Sequence, residues 1–114
     1  MVSGILNDRQ IAERFDKKQL SAPPLDIDQI QPASLDLRLG PKAWRVRASF
    51  LPGPDTPVAE KLARFSLHEI DLSQSAVLET GCVYIVQLQE ELALADTISA
   101  SANPKSSTGR LDIF

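Results

Sequence analysis

The chain has 114 residues, 43% of them hydrophobic and 24% charged, with a net charge of −3. That is one domain's worth of chain with enough apolar residues for a core, and its charge gives no broad basic surface for nucleic acid. A single cysteine, Cys82, excludes an internal disulfide framework, residues 1–4 lack the basic start of a secretory signal, and no apolar run is long enough for a membrane-spanning helix. These features lead to the expectation of a soluble, cytoplasmic protein with no membrane or nucleic-acid partner.

Residues 7–18 read as a short helix. Asn7 is placed to cap it, with Gln10 three residues on as in a capping box, and Leu6 and Ile11 are spaced as a hydrophobic staple. Ile11 and Phe15 share a face, and Asp8, Arg9, Glu13, Arg14 and Lys17 fill much of the rest, the pattern of a surface helix packed on a core. Residues 21–33 carry Pro23, Pro24 and Pro32 and read as loop. Ser34-Leu35-Asp36-Leu37-Arg38-Leu39 alternates strictly, which predicts a strand ended by a turn at Gly40-Pro41. The alternation resumes at 43–50, with Trp44, Val46 and Ala48 opposite Arg45, Arg47 and Ser49, and the two strands are expected to pair.

Pro52-Gly53-Pro54-Asp55 is a loop. Thr56-Pro57 reads as a helix start with Thr56 as cap and Pro57 at the first helical position, leading into one or two turns over 58–65. Short strands are then expected at 70–72, 76–78, 82–88, 92–94 and 97–102, with turns at Ser73-Gln74-Ser75, Thr80-Gly81 and Ala95-Asp96. Short strands at this density argue for a β-rich barrel or sandwich. Leu111-Asp112-Ile113-Phe114 reads as the opening of one more strand, which suggests a piece of a longer protein.

The stretch Lys105-Ser106-Ser107-Thr108-Gly109-Arg110, just after Pro104, is the richest in chemistry. It offers two cations, three hydroxyls and a glycine in six residues. Lysine supplies a point charge, arginine a two-pronged fork, and hydroxyls and backbone N–H groups short hydrogen bonds, which together suit a triphosphate. A polar surface loop has the same composition. The stretch is not a Walker A loop, because the leading glycine and the GK[ST] order are missing.

Ile30-Gln31-Pro32-Ala33-Ser34-Leu35-Asp36-Leu37-Arg38-Leu39-Gly40 resembles the early signature of the dCTP deaminase family of the dUTPase-like superfamily. Gly4-Ile5-Leu6-Asn7-Asp8 and residues 92–102 resemble it too. Lys105-Ser106-Ser107-Thr108-Gly109-Arg110 resembles the family's nucleotide-binding motif, usually arginine, two serines, two variable positions and arginine. The resemblance covers nearly the whole chain. It implies a mainly β fold, a distorted β-barrel or β-clip of the dUTPase-like type with an N-terminal helix and one short additional helix. Residues 1–114 would be the N-terminal portion of a single such domain, incomplete at the C-terminal end. Residues 48–70 and 77–84 resemble a longer bacterial subgroup with two such domains in tandem, which leaves open which copy is catalytic.

The implied reaction is hydrolytic deamination at C4 of the cytosine in dCTP, giving dUTP and ammonia for pyrimidine deoxynucleotide biosynthesis, without zinc. The family's general acid/base is a glutamate further along its chain, beyond Phe114. By resemblance, Lys105 stands for the first arginine and contacts phosphate, with the charge kept and the planar fork lost. Ser106 sits beside the base and helps position the attacking water, Ser107 binds phosphate, and Arg110 organises the site near the base and its catalytic partner. Thr108 and Gly109 fill the variable positions of the nucleotide-binding turn, where Gly109 permits close backbone approach. Asp36 has two readings, a carboxylate near the metal-bound triphosphate or an outward strand residue paired with Arg38 or Arg45. The resemblance further implies Mg2+ bound with the triphosphate, dCTP or dUTP as ligand, and a homotrimer or a tandem-domain pseudo-oligomer. Two other functions remain open: a dUTP pyrophosphatase or bifunctional deaminase-pyrophosphatase, and a non-catalytic nucleotide-binding or oligomerisation domain of a tandem protein.

Zinc deaminases need three His/Cys ligands in an HxE…PCxxC arrangement, whereas His68 and Cys82 are the sole residues of their kinds here. His68 is therefore expected to be a surface or hydrogen-bonded structural residue and Cys82 a small core residue. Trp44 and Tyr84 are expected in the core or an interface, and Glu79, Glu90 and Glu91 as solvated carboxylates at strand ends or turns.

Overall fold

A computed structural model describes residues 4–111. Leu111 lies in a turn, and the rest of the strand expected at the C-terminal end, residues 112–114, lies outside the described residues. The chain folds as two compact units, one from Met1–Arg38 with Glu90–Phe114 and the other from Leu39–Gln89. Strands and short helices make it mainly β, the class expected from the sequence. Among the described residues no helix is long and apolar enough to cross a membrane.

In the first unit, helix α1 spans Asp8–Asp16. The capping box forms as the spacing requires: Gln10 N–H donates to Asn7 Oδ1 and Asn7 N–H to Gln10 Oε1, both at 2.9 Å. Asp8 in the first turn and Arg14 in the last complement the helix dipole, and Ile11 is buried. Lys18, with φ 58°, turns the chain out of the helix. Strand β1 (Leu20–Ser21) follows and pairs antiparallel with β5 (Glu91–Leu92), setting Leu20 opposite Leu92.

The strand expected at 34–39 does not form. Leu35 makes one isolated antiparallel bridge to Ile30. The alternation is real, but the Gln29 carbonyl and the Gln29 and Glu90 side chains take up the backbone groups that a neighbouring strand would have used. Asp36 N–H donates to the Gln29 carbonyl at 3.0 Å, the Asp36 carbonyl accepts from Gln29 Nε2 at 2.9 Å, and Arg38 N–H donates to Glu90 Oε1 at 2.7 Å. Residues 97–102 likewise hold no strand; Thr97 lies in a turn and the rest has no ladder. The 105–110 stretch forms a single helical turn, α3 (Ser106–Gly109), closed by Gly109 N–H to the Lys105 carbonyl at 2.9 Å and Arg110 N–H to the Ser106 carbonyl at 3.0 Å.

The second unit is built on strand β2 (Leu39–Val46), flanked antiparallel on both sides by β3 (Ser66–Asp71) and β4 (Val83–Leu88). Ala43 sits between Ile70 and Val86, and Trp44 between Glu69 and Ile85, so residues 43–46 pair with later strands and not with 34–39. Gly40-Pro41 is therefore no turn. It lies inside β2, where the register against β4 shifts between Leu39 and Ala43. A bulge there accommodates the N–H that proline lacks, and the Pro41 carbonyl still accepts from Leu72 N–H at 2.7 Å. Gly40 is needed for space, since a Cβ there would stand 2.7 Å from the Gln87 carbonyl oxygen.

Helix α2 (Val58–Phe65) begins one residue later than the sequence suggests. Pro57 is its cap, in extended conformation, and no side chain caps the first turn, Thr56 included. Pro57 places its carbonyl where Glu60 N–H reaches it at 3.1 Å. Leu62 is buried under the helix, Phe50 stacks on Phe65 at 5.5 Å, and the chain passes directly from Phe65 into β3. Residues 76–78 carry no strand. The core is thin: Ile11 and Leu20 in one unit, Ala43, Val46 and Leu62 in the other.

Candidate nucleotide site

The first unit carries a shallow cleft of about 290 Å3, lined chiefly by Asp26, Asp28, Gln29, Asp36, Arg38 and Lys105. Lys105 Nζ donates to Asp36 Oδ2 at 2.6 Å, with the lysine side chain 59% exposed and the carboxylate 24% exposed. Asp36 is thus neither free nor paired with an arginine. Arg38 is committed to Glu90 and, at 3.7 Å, to Asp26, while in the other unit Arg45 pairs with Glu79 at 3.2 Å. The structure brings together one residue from each resembling segment, Asp36 and Lys105.

The rest of the second segment lies apart from this lining. Ser106, Ser107 and Arg110 are exposed on and after α3, and Thr108 and Gly109 are half-buried. Within the turn the Gly109 and Arg110 N–H groups are spent on the Lys105 and Ser106 carbonyls.

Glu90 departs most from expectation. Its side chain is 1% exposed, so it is no solvated carboxylate. It accepts from Arg38 N–H at 2.7 Å, from Arg38 Nε at 2.8 Å and from Gln29 Nε2 at 3.2 Å. Burial alone would raise the Glu90 carboxyl, but these hydrogen bonds and the Arg38 charge hold it below the ordinary carboxylate range. The Arg38 guanidinium reaches on to the Pro24 carbonyl at 3.0 Å and the Pro23 carbonyl at 3.3 Å. Sequence reading missed this group because Glu90-Glu91 looks like any polar turn. The one available signal is Arg38, an arginine in an apolar alternation that needs an anionic partner once buried.

Glu79, Glu91 and His68 are exposed, as expected. Cys82 is half-buried, not a core residue; it precedes β4 with Sγ 3.7 Å from Glu79 Oε2. Trp44 is half-buried beside Leu62, Ile85 and Val86 along an apolar groove of the second unit. Tyr84 is also half-buried, its hydroxyl accepting from Glu79 N–H at 2.9 Å. Among the described residues no group of three or more His, Cys, Asp and Glu side chains is arranged to hold a metal ion.

A mainly β chain with short helices is the type of scaffold the dUTPase-like class provides. The family described as 2'-deoxycytidine 5'-triphosphate deaminase (DCD) N-terminal domain matches residues 2–114, and the chain belongs to that family. It is similar to the crystal structure of 2'-deoxycytidine 5'-triphosphate deaminase from Agrobacterium tumefaciens, at 67% identity and a TM-score of 0.90 over 100% of this chain and 34% of that one. It is also 32% identical to "dCTP deaminase, dUMP-forming" of Persephonella marina and 30% identical to the protein of the same description from Nanoarchaeum equitans, in each case over 96% of this chain. The chain spans 60% and 62% of the length of those two relatives.

Proposed function

We propose that the protein carrying this chain deaminates dCTP by hydrolysis: water adds at C4 of the cytosine, ammonia leaves, and dUTP is formed without zinc. The observation that carries this reading is the contact between Asp36 and Lys105, which are 69 residues apart and join the two family-like segments in one cleft. In this reading Lys105 and Ser107 hold the triphosphate, Ser106 helps position the water, Arg110 organises the base end, and a glutamate beyond Phe114 transfers the proton. Thr108 and Gly109 shape the turn against the nucleotide. Magnesium arrives as part of the substrate. A single carboxylate ligand suits such a complex, because Mg2+ keeps several waters and takes one or two carboxylates together with substrate phosphates. Asp36, which lines the cleft together with Asp26 and Asp28, is the carboxylate this reading assigns to it.

A second reading is favoured by a specific observation. The relatives from Persephonella marina and Nanoarchaeum equitans are described as dUMP-forming. A bifunctional enzyme would also split the α–β phosphate bond with a second water and release dUMP and pyrophosphate. The much smaller share of the Agrobacterium chain that is covered, 34% against 60% of the Persephonella relative, favours the tandem arrangement for the whole protein.

One experiment separates these readings. The full-length protein is incubated with dCTP and Mg2+, and ammonia, dUTP, dUMP and pyrophosphate are measured together. Ammonia with dUTP supports the first reading, and ammonia with dUMP and pyrophosphate the second. Bound dCTP without ammonia would make this a nucleotide-binding domain and overturn both.

A further inference from the structure

We infer that Glu90 is a positioning residue of the nucleotide site, acting on Asp36 and Lys105 from beneath; the inference rests on the reading of those two residues as triphosphate contacts. Glu90 holds Asp36 along two routes. On one side Glu90 Oε2 accepts from Gln29 Nε2 at 3.2 Å, and the same amide nitrogen donates to the Asp36 carbonyl at 2.9 Å. Gln29 closes the loop from its main chain, its carbonyl accepting Asp36 N–H at 3.0 Å. On the other side Glu90 accepts both the N–H and the Nε of Arg38, two residues beyond Asp36. The backbone around Asp36 is thus fixed by the Gln29 main chain and by the Gln29 and Glu90 side chains, outside any strand ladder. Its carboxylate in turn holds Lys105 at 2.6 Å.

Charge alone would be served by any surface acid. What Glu90 adds is direction, since a carboxylate buried with three donors on it has one orientation. Truncation frees Gln29 and Arg38, and Asp36 then loses the register that sets it opposite Lys105. Glu90 touches no substrate in this scheme; it sets the separation of two groups that do.

The test is a double-mutant cycle in the full-length protein, with dCTP affinity read by calorimetry and folding by circular dichroism. Glu90→Gln is expected to weaken dCTP about tenfold while keeping a cooperative melt, because its amide cannot accept from all three donors. Combined with Asp36→Asn it should weaken dCTP no further than Asp36→Asn does alone, to within about twofold, since both act through one group. Additive losses, or unchanged affinity in folded Glu90→Gln, would reduce Glu90 to a folding role and overturn the inference. Should Glu90→Gln not fold, Gln29→Met, which leaves the bonds of Glu90 to Arg38 in place, must show the same non-additivity with Asp36→Asn. A Lys105→Met variant that binds dCTP like the wild type would instead overturn the reading of the site, and the role of Glu90 with it.

Discussion

Lys105 Nζ lies 2.6 Å from Asp36 Oδ2, so the first residue of the hydroxyl-rich turn is already engaged by the aspartate of the early signature. The pair is partly open to solvent, which keeps its own contribution to stability small, at most about 1 kcal/mol. Its importance lies in placement, because it fixes the Lys105 ammonium beside Asp36 in the cleft.

Replacing Lys105 by methionine should therefore cost binding and spare the fold. A hydrogen bond to a charged group is worth about 1.5–3 kcal/mol, so triphosphate affinity should fall roughly 10- to 150-fold. Lys105→Arg, which keeps the charge and adds the fork, should bind within about threefold of the wild type. Fluorescence titration with dCTP at fixed ionic strength decides both.

Arg110 is exposed after α3 and makes no ion pair among the described residues, so on the proposed reading Arg110→Ala should abolish turnover in the full-length protein while leaving its melting temperature unchanged. Wild-type ammonia release from this variant would place the site elsewhere.

The Glu90 cluster sets a pH limit. The folded carboxyl lies below its ordinary value, so the unfolded chain binds the proton more readily. The stabilisation is complete above the ordinary glutamate pKa of about 4.3 and is lost as pH falls through the lower folded value. Melting temperature should thus drop steeply below about pH 4. Glu90→Gln should be less stable at neutral pH and show a shallower acid limb; an unchanged limb would assign the acid sensitivity to other carboxylates.

Gly40→Ala tests the bulge in β2. The added Cβ would meet the Gln87 carbonyl oxygen at 2.7 Å, a backbone atom that cannot swing away. Forcing the strands apart should destabilise the protein by about 1–3 kcal/mol in chemical denaturation.

Asn7→Ala removes the side-chain half of the capping box of α1, the Asn7 Oδ1 that accepts from Gln10 N–H, and should lower stability by about 1 kcal/mol, read in the same denaturation series.

Local chemistry was the legible part of this fold. Asn7 and Gln10 announce the start of α1 because a capping box is a short-range device with a fixed spacing. The strand character of 43–50 is likewise legible from alternation and that of 82–88 from an apolar run, although the strands themselves end at Val46 and begin at Val83. Partners were not legible. Alternation at 34–39 says which faces differ but not which groups will take the hydrogen bonds, and here the Gln29 carbonyl and the Gln29 and Glu90 side chains take them in place of a strand. Gly40-Pro41 has the composition of a turn, and only the neighbouring strand at Gln87 explains why glycine is required within a strand. At the site, the two segments could be named from sequence because their order resembles a family. The Asp36–Lys105 contact and the Glu90 clamp could not, because each joins residues more than fifty positions apart.

The second unit has a further consequence through the way its ends meet. Leu39 pairs with Leu88, and Gln89 Nε2 donates to the Leu39 carbonyl at 2.9 Å, so the whole 39–89 stretch departs and returns through a narrow stem. Just outside that stem, Arg38 and Glu90 are locked to each other. A segment tethered in this way is an exchangeable cassette. Doubling a flexible loop costs only about 0.6 kcal/mol, so the loops between the strands of residues 39–89 can change length at little cost to the stem.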